Sequence, residues 1–182
     1  MFSSFNPVQS LPLTLITPNL IVQGVSQTRV RRLTDLLKDA DSDLLVLEDV
    51  KFIELGSHRI VGNAVVAQVP LADVLLVHAT GPTEGTAELR TSKQPVRATL
   101  LMPPFTVEGQ IHLSYEPELR VALTALTDRW IPVTSARYWA YGVAEEPAGV
   151  DFLVANHLHA HIVLARGVEW QAGASAGAQN PW

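Results

Sequence analysis

The sequence predicts a mainly β protein with short helices, α+β in class, made of two homologous small units. Three observations carry this prediction. Separate segments of the chain match each other in the same order. Short runs rich in Val, Ile, Leu and Thr alternate with polar residues, the period of a half-buried strand. Gly and Pro punctuate those runs and leave room for only one brief helical pattern in each unit.

The repeat is visible by eye. "LTLITPNLIVQG" lies over "ATLLMPPFTVEG" without a gap, Thr14 over Thr99, Pro18 over Pro103 and Gly24 over Gly109, at an offset of 85. "LLVLEDVKF" lies over "WIPVTSARY" at 86, and "VVAQVPLADVLLV" over "FLVANHLHAHIVL" at 87. One unit then spans residues 12–79 and the other 97–166. Residues 1–11 read as an N-terminal arm, residues 80–96 as a linker, and residues 167–182 as a small, polar tail. A repeat of this kind decides the fold before any single element does.

Within each unit the elements follow one plan. An extended run comes first, Leu20–Ser26 or Phe105–Leu113, with an interior Gly that marks a bulge or tight bend. A helical pattern follows, carried by Val30, Leu33, Leu36 and Leu37 in one unit and by Leu119, Ala122, Leu123 and Leu126 in the other. Pro117 suits the first turn of the second helix. A strand, Leu44–Glu54 or Trp130–Tyr141, leads to a longer β-rich run, Asn63–His78 or Val150–Ala165. Short strands with one small helix fit a bent sheet or partly open barrel. Two such units, too small to be stable alone, would pack about a pseudo-twofold axis.

The motifs "LTDLLKD", "LLVLEDV" and "ANHLHAHI" resemble those of a family of uncharacterised bacterial domains. That family's pattern is a Gly-containing first strand, a short helix, a strand with an acidic end, and a final run containing Asn and His. The plan is also similar to Sm-like small barrels. The resemblance covers most of both units and implies the fold. It carries no catalytic residues. Pro70 in the first unit, and the missing helix Asp in the second, depart from the pattern.

Composition narrows the function. The chain has 182 residues, 13 Lys and Arg against 18 Asp and Glu, and a net charge of −5. Neither half is basic, so an Sm-like RNA-binding role is disfavoured, since nucleic-acid affinity rests on clustered cations. Arg29, Arg31 and Arg32 form only a small patch. The absence of cysteine excludes disulfides and thiolate chemistry and fits a cytoplasmic protein. The opening residues lack the basic and apolar stretches of a signal peptide, and no apolar run is long enough to span a membrane.

The chemistry-bearing candidate is "ANHLHAHIVLA", with His157, His159 and His161 at every second residue. On one straight strand they would share a face with Asp151, and His112 on another strand would complete a zinc or other divalent transition-metal site. Offset 87 puts Pro70 over His157. Pro lacks the N–H a central strand needs, so a break is expected at Asn156–His159, which splits the set. Surface or interface histidines without a cofactor are therefore the favoured reading, with metal binding or metal-dependent catalysis as the alternative. Glu145–Glu146–Pro147 reads as a solvated turn. Asp35, Asp39, Asp41 and Asp43 lack the Gly and terminal Glu of a calcium loop. Trp139, Tyr141, Trp170 and Trp182 are candidate contact aromatics. The function expected is a non-enzymatic assembly or partner-binding module that contacts a protein partner or itself.

Overall fold

The computed structural model describes residues 7–30, 32–39, 43–80, 93–141 and 146–164. Among these residues ten strands form one antiparallel sheet. The chain runs β1 (Gln9–Ile16), β2 (Leu20–Thr28), helix α1 (Leu33–Lys38), β3 (Leu44–Glu54) and β4 (Ile60–Pro70). A 3-10 turn, Leu71–Asp73, leads to β5 (Leu76–Ala79). The second half runs β6 (Lys93–Met102), β7 (Phe105–Ser114), α2 (Leu119–Thr124), β8 (Trp130–Ala140) and β9 (Ala148–Asn156). A second 3-10 turn, His157–His159, leads to β10 (His161–Val163).

The strands lie in the order β10-β6-β7-β8-β9-β5-β1-β2-β3-β4. Each half is thus a run of five strands whose fifth stands beside its first. In a flat sheet β4 and β5 would be four strand spacings apart, roughly 19 Å. Only Leu71–Leu75 connect them, and three of those residues form a tight turn rising about 2 Å per residue. That link is too short for a flat run, so the run curls. The sheet does not close, because β4 and β10 remain as its edges.

Two interactions shape each curl. The register between β2 and β3 shifts at Gly24, and that between β7 and β8 shifts at Gly109. Opposite these glycines, Asp49 and Ser135 both adopt φ of 49°. This left-handed geometry turns the strand by one residue. Leu47 and Val50 both face the core, and Glu48 and Asp49 between them both face solvent. The glycines are needed for close approach. A Cβ on Gly109 would stand 2.6 Å from Val133 Cγ1 and 3.0 Å from the Thr134 carbonyl oxygen.

The apolar interior forms two clusters that exchange residues between the halves. The first holds Leu13, Leu15, Val22, Leu47 and Val77, with Trp130 and Val154 from the second half. The other holds Leu100, Val107, Ile111 and Ile131, with Ile16, Leu75 and Leu76 from the first. Helix α1 contributes Leu33 and Leu37 to the cluster that includes Trp130.

Several sequence expectations change. β1 starts at Gln9, inside the span read as an arm, and β6 starts at Lys93, inside the span read as a linker. The runs Asn63–His78 and Val150–Ala165 are each broken by a 3-10 turn, where Pro70 and its match made a break expected. Pro117 precedes Glu118, the N-cap of α2, and so lies outside the helix. A twofold relation would pair β10 with β4 as well as β5 with β9, yet β10 and β4 are both edges. The halves follow each other head to tail along the sheet.

Replacing Gly109 with Ala should reduce the free energy of unfolding in urea by about 1–3 kcal/mol, the usual cost of overpacking. Gly149→Ala, where an added Cβ meets nothing within 4 Å, should change it little. Equal stability of the two variants would contradict this account of the bulge.

Candidate functional site

The structure separates the sequence-predicted histidines. β9 ends at Asn156, and His157 and His159 lie in the 3-10 turn that follows. The straight-strand arrangement with Asp151 is therefore not formed, and the break falls where Pro70 led it to be expected. His161 opposes Leu101 on β6, whereas His112 opposes Pro95 on the same strand. Those positions differ by 101 − 95 = 6 residues, roughly 20 Å along a strand. His112 instead places Nε2 3.0 Å from Thr134 Oγ1. Among the described residues, no group of three or more His, Cys, Asp or Glu is arranged to hold a metal ion. Asp43 pairs with Arg129, and Asp39 caps the end of α1. Asp41, Glu145, Trp170 and Trp182 lie outside the described residues.

What the turn histidines do reach is the other half of the chain. His159 Nε2 lies 2.8 Å from the carbonyl oxygen of Ala72, in the first 3-10 turn. A carbonyl only accepts, so Nε2 carries the proton. Beside it, β5 and β9 pair through Leu76 with Ala155 and Val77 with Val154. Asn156, with 0% of its surface exposed, completes the joint. Its Nδ2 donates to the Val74 carbonyl at 2.9 Å, and its backbone N–H donates to that of Leu75 at 2.8 Å. Its Oδ1 accepts from the Leu158 N–H. Lys38–Asp128 and Arg129–Asp43 add ion pairs between the halves at the surface, where each contributes about 0–1 kcal/mol.

On another side of the contact between the halves lies a cleft of about 120 Å³, lined by Ile16, Ile21, His58, Tyr138, Trp139 and Glu146 among others. It is small beside the roughly 300–1,000 Å³ of typical ligand pockets. Trp139 is half-buried there, while Tyr141 is exposed. The Tyr138 ring meets Phe105 edge-on, and its hydroxyl lies 3.4 Å from His78 Nε2. Burial pushes the Tyr138 hydroxyl above its usual range. Burial also pushes His78 below its ordinary value, against a smaller opposing effect of the Ala79 backbone. His112 is lowered as well, by burial first and then by Lys93.

The feature that sequence reading did not single out is the β4 edge. Its residues, Ile-Val-Gly-Asn-Ala-Val-Val-Ala-Gln-Val-Pro, carry no charge over eleven positions. The turn at Asp49 is mirrored across the ladder, so Ala64 and Ala67 lean on the core while Val65 and Val66 both face out. Val65 is 81% exposed and Val66 58%, and Ile60 and Val61 are also exposed. A shallow depression lined by Asp49, Val50, Lys51, Asn63, Ala64 and Val65 runs beside them. Long apolar edges without Lys, Pro or inward charge at their centre are what soluble proteins avoid. The readable signal was the absence of any charged residue from Ile60 to Ala72.

A scan of protein-family models finds no match to the chain, and searches of curated proteins and of solved structures find none either.

Lowered values for His78 and His112 mean that the folded chain binds fewer protons than the unfolded one as pH falls through 6.5. Stability from these groups is fully present above that value and is lost as pH drops below it. Between pH 7 and about 5.5 the unfolding free energy should fall, and His78→Gln should make the fall shallower. A stability that rises on acidification, or a slope unchanged by His78→Gln, would contradict the burial of a neutral imidazole.

Proposed function

We propose that this protein is a non-enzymatic assembly or partner-binding module of the cytoplasm, built from two homologous curled units. It acts through strand addition at the β4 edge. The observation that carries the reading is that edge: eleven residues, no charge, and two adjacent valines turned to solvent at its centre. An incoming extended segment would satisfy the outward backbone groups of β4 and cover Val65 and Val66, the β-augmentation mode of recognition. Among the described residues no helix is long and apolar enough to cross a membrane.

Homology of the two units is supported by details that a shared strand count would not require. The bulges at Gly24 and Gly109, at offset 85, face the left-handed residues Asp49 and Ser135, at offset 86. The Leu71 N–H donates to the Asp43 carbonyl, and the His157 N–H donates to that of Arg129, again at 86. The ladders oppose Leu44 to Pro70 and Trp130 to Asn156. This sets β4 over β9 at 86, one less than the letters alone suggested. Asn156, rather than His157, is therefore the counterpart of Pro70.

A ten-residue peptide of alternating Thr and Val, added to the folded protein, should protect β4 amides from hydrogen exchange. Val65→Lys should abolish that protection, because a charged edge resists pairing. No change at β4 with excess peptide, in protein dilute enough to be monomeric, would overturn the reading.

A further inference from the structure

The occupant of the β4 edge can be narrowed further, on the reading just given. Within one chain, edge-to-edge joining is already achieved, β5 of one half against β9 of the other. Copying that joint from chain to chain would set β10 of one copy on β4 of the next. The residues at these free edges do not support it. Asn156 gives its N–H to the joint, whereas its counterpart Pro70 has none. The registers Leu15–Val77 and Leu100–Ile162 place His161 at the position of Leu76, which is fully buried in the joint. The bond between His159 and the Ala72 carbonyl would become a contact of Asp73 with the Leu158 carbonyl, two acceptors facing each other. Head-to-tail growth is thus stopped at both ends.

β4 is suited instead to its own copy. We propose that a second molecule docks antiparallel on β4, with a twofold axis at Val65, to give a closed dimer with a continuous twenty-strand sheet. Val65 is the central residue of Ile60–Pro70, so pairing about it overlaps all eleven residues. It also sets Val65 against its own copy, with Val66 beside Ala64. An isologous contact needs one patch that complements itself, and here the strand's most exposed apolar side chains, Val65 and Val66, lie at its midpoint. Charge agrees. Each chain carries −5, so two copies meet with least repulsion at an element that has no charge. The contact continues the existing sheet, as the β5–β9 joint does inside the chain.

The test uses the full chain, in which cysteine is naturally absent. Sedimentation velocity over a wide concentration range should show a dimer and nothing larger. Val65→Lys should weaken it at least ~10-fold, whereas Val163→Lys on β10 should leave it unchanged. Under mild oxidation Val65→Cys should give a covalent dimer rapidly, because directly opposed Cβ atoms lie about 4.5–5.5 Å apart. Val163→Cys should do so only slowly. Val65→Cys keeps an uncharged side chain at this exposed site, so the cross-link remains informative if the Lys variant is poorly folded. A monomer at all concentrations, or larger species lost in Val163→Lys, would overturn the proposal. In the first case, protection of β4 by the Thr/Val peptide would show that the strand-addition reading survives without self-pairing.

Discussion

Asn156 ties the two halves of the chain together. Its side chain and backbone bond to Val74, Leu75 and Leu158 from a position closed to solvent. An unpaired amide there would cost about 1–3 kcal/mol, so its contacts specify the geometry as well as stabilise it. The β5–β9 ladder itself has only two residue pairs. Most of the joint is therefore made by side chains that cross it: Ile16, Leu75 and Leu76 in one direction, Trp130 and Val154 in the other. Each half borrows part of its core from its neighbour. A five-strand run with two turns of helix would otherwise have too little apolar interior.

The same constraint determines which surfaces remain open. Once β5 is used by β9, the outer strands are β4 and β10. They differ in kind. β10 is short and carries His161, next to a turn with two more histidines. β4 is long, apolar and uncharged. At the place where β4 has Val65, β9 has Asp151, by the offset of 86 that their ladders define. Charge is present on β9, which β5 covers only in part, and is missing from the β4 edge. Of the two edges, β4 has the composition less guarded against a further strand.

Much of the architecture was legible from the letters. The Gly-centred bulges, the brief helices at Leu33–Lys38 and Leu119–Thr124, and the break at Asn156 followed from Gly geometry, apolar spacing and the cost of Pro70 in a strand. β1 and β6 were missed, because the first extended run was read only from Leu20 and Phe105, after the short turns at Thr17–Asn19 and Pro103–Pro104. Strand order was not legible at all. Nothing local says that β5 meets β9, since that pairing links Leu76 to Ala155, 155 − 76 = 79 residues apart. The β4 edge was passed over for the same reason. His residues draw attention by their chemistry, whereas the exposure of Val65 and Val66 depends on the left-handed turn at Asp49 in the neighbouring strand. A hydrophobic run reads as core until its neighbours are known.

Native-state hydrogen exchange tests the central claim most directly, that the joint makes both halves one cooperative structure. The amides of Asn156 and Leu75 should belong to the slowest class and exchange only with global unfolding. Amides in the interior ladders of both halves should share that free energy. Exchange of Asn156 and Leu75 through a lower-energy opening, with the two halves protected to different extents, would show that the units fold and part independently and would contradict the account.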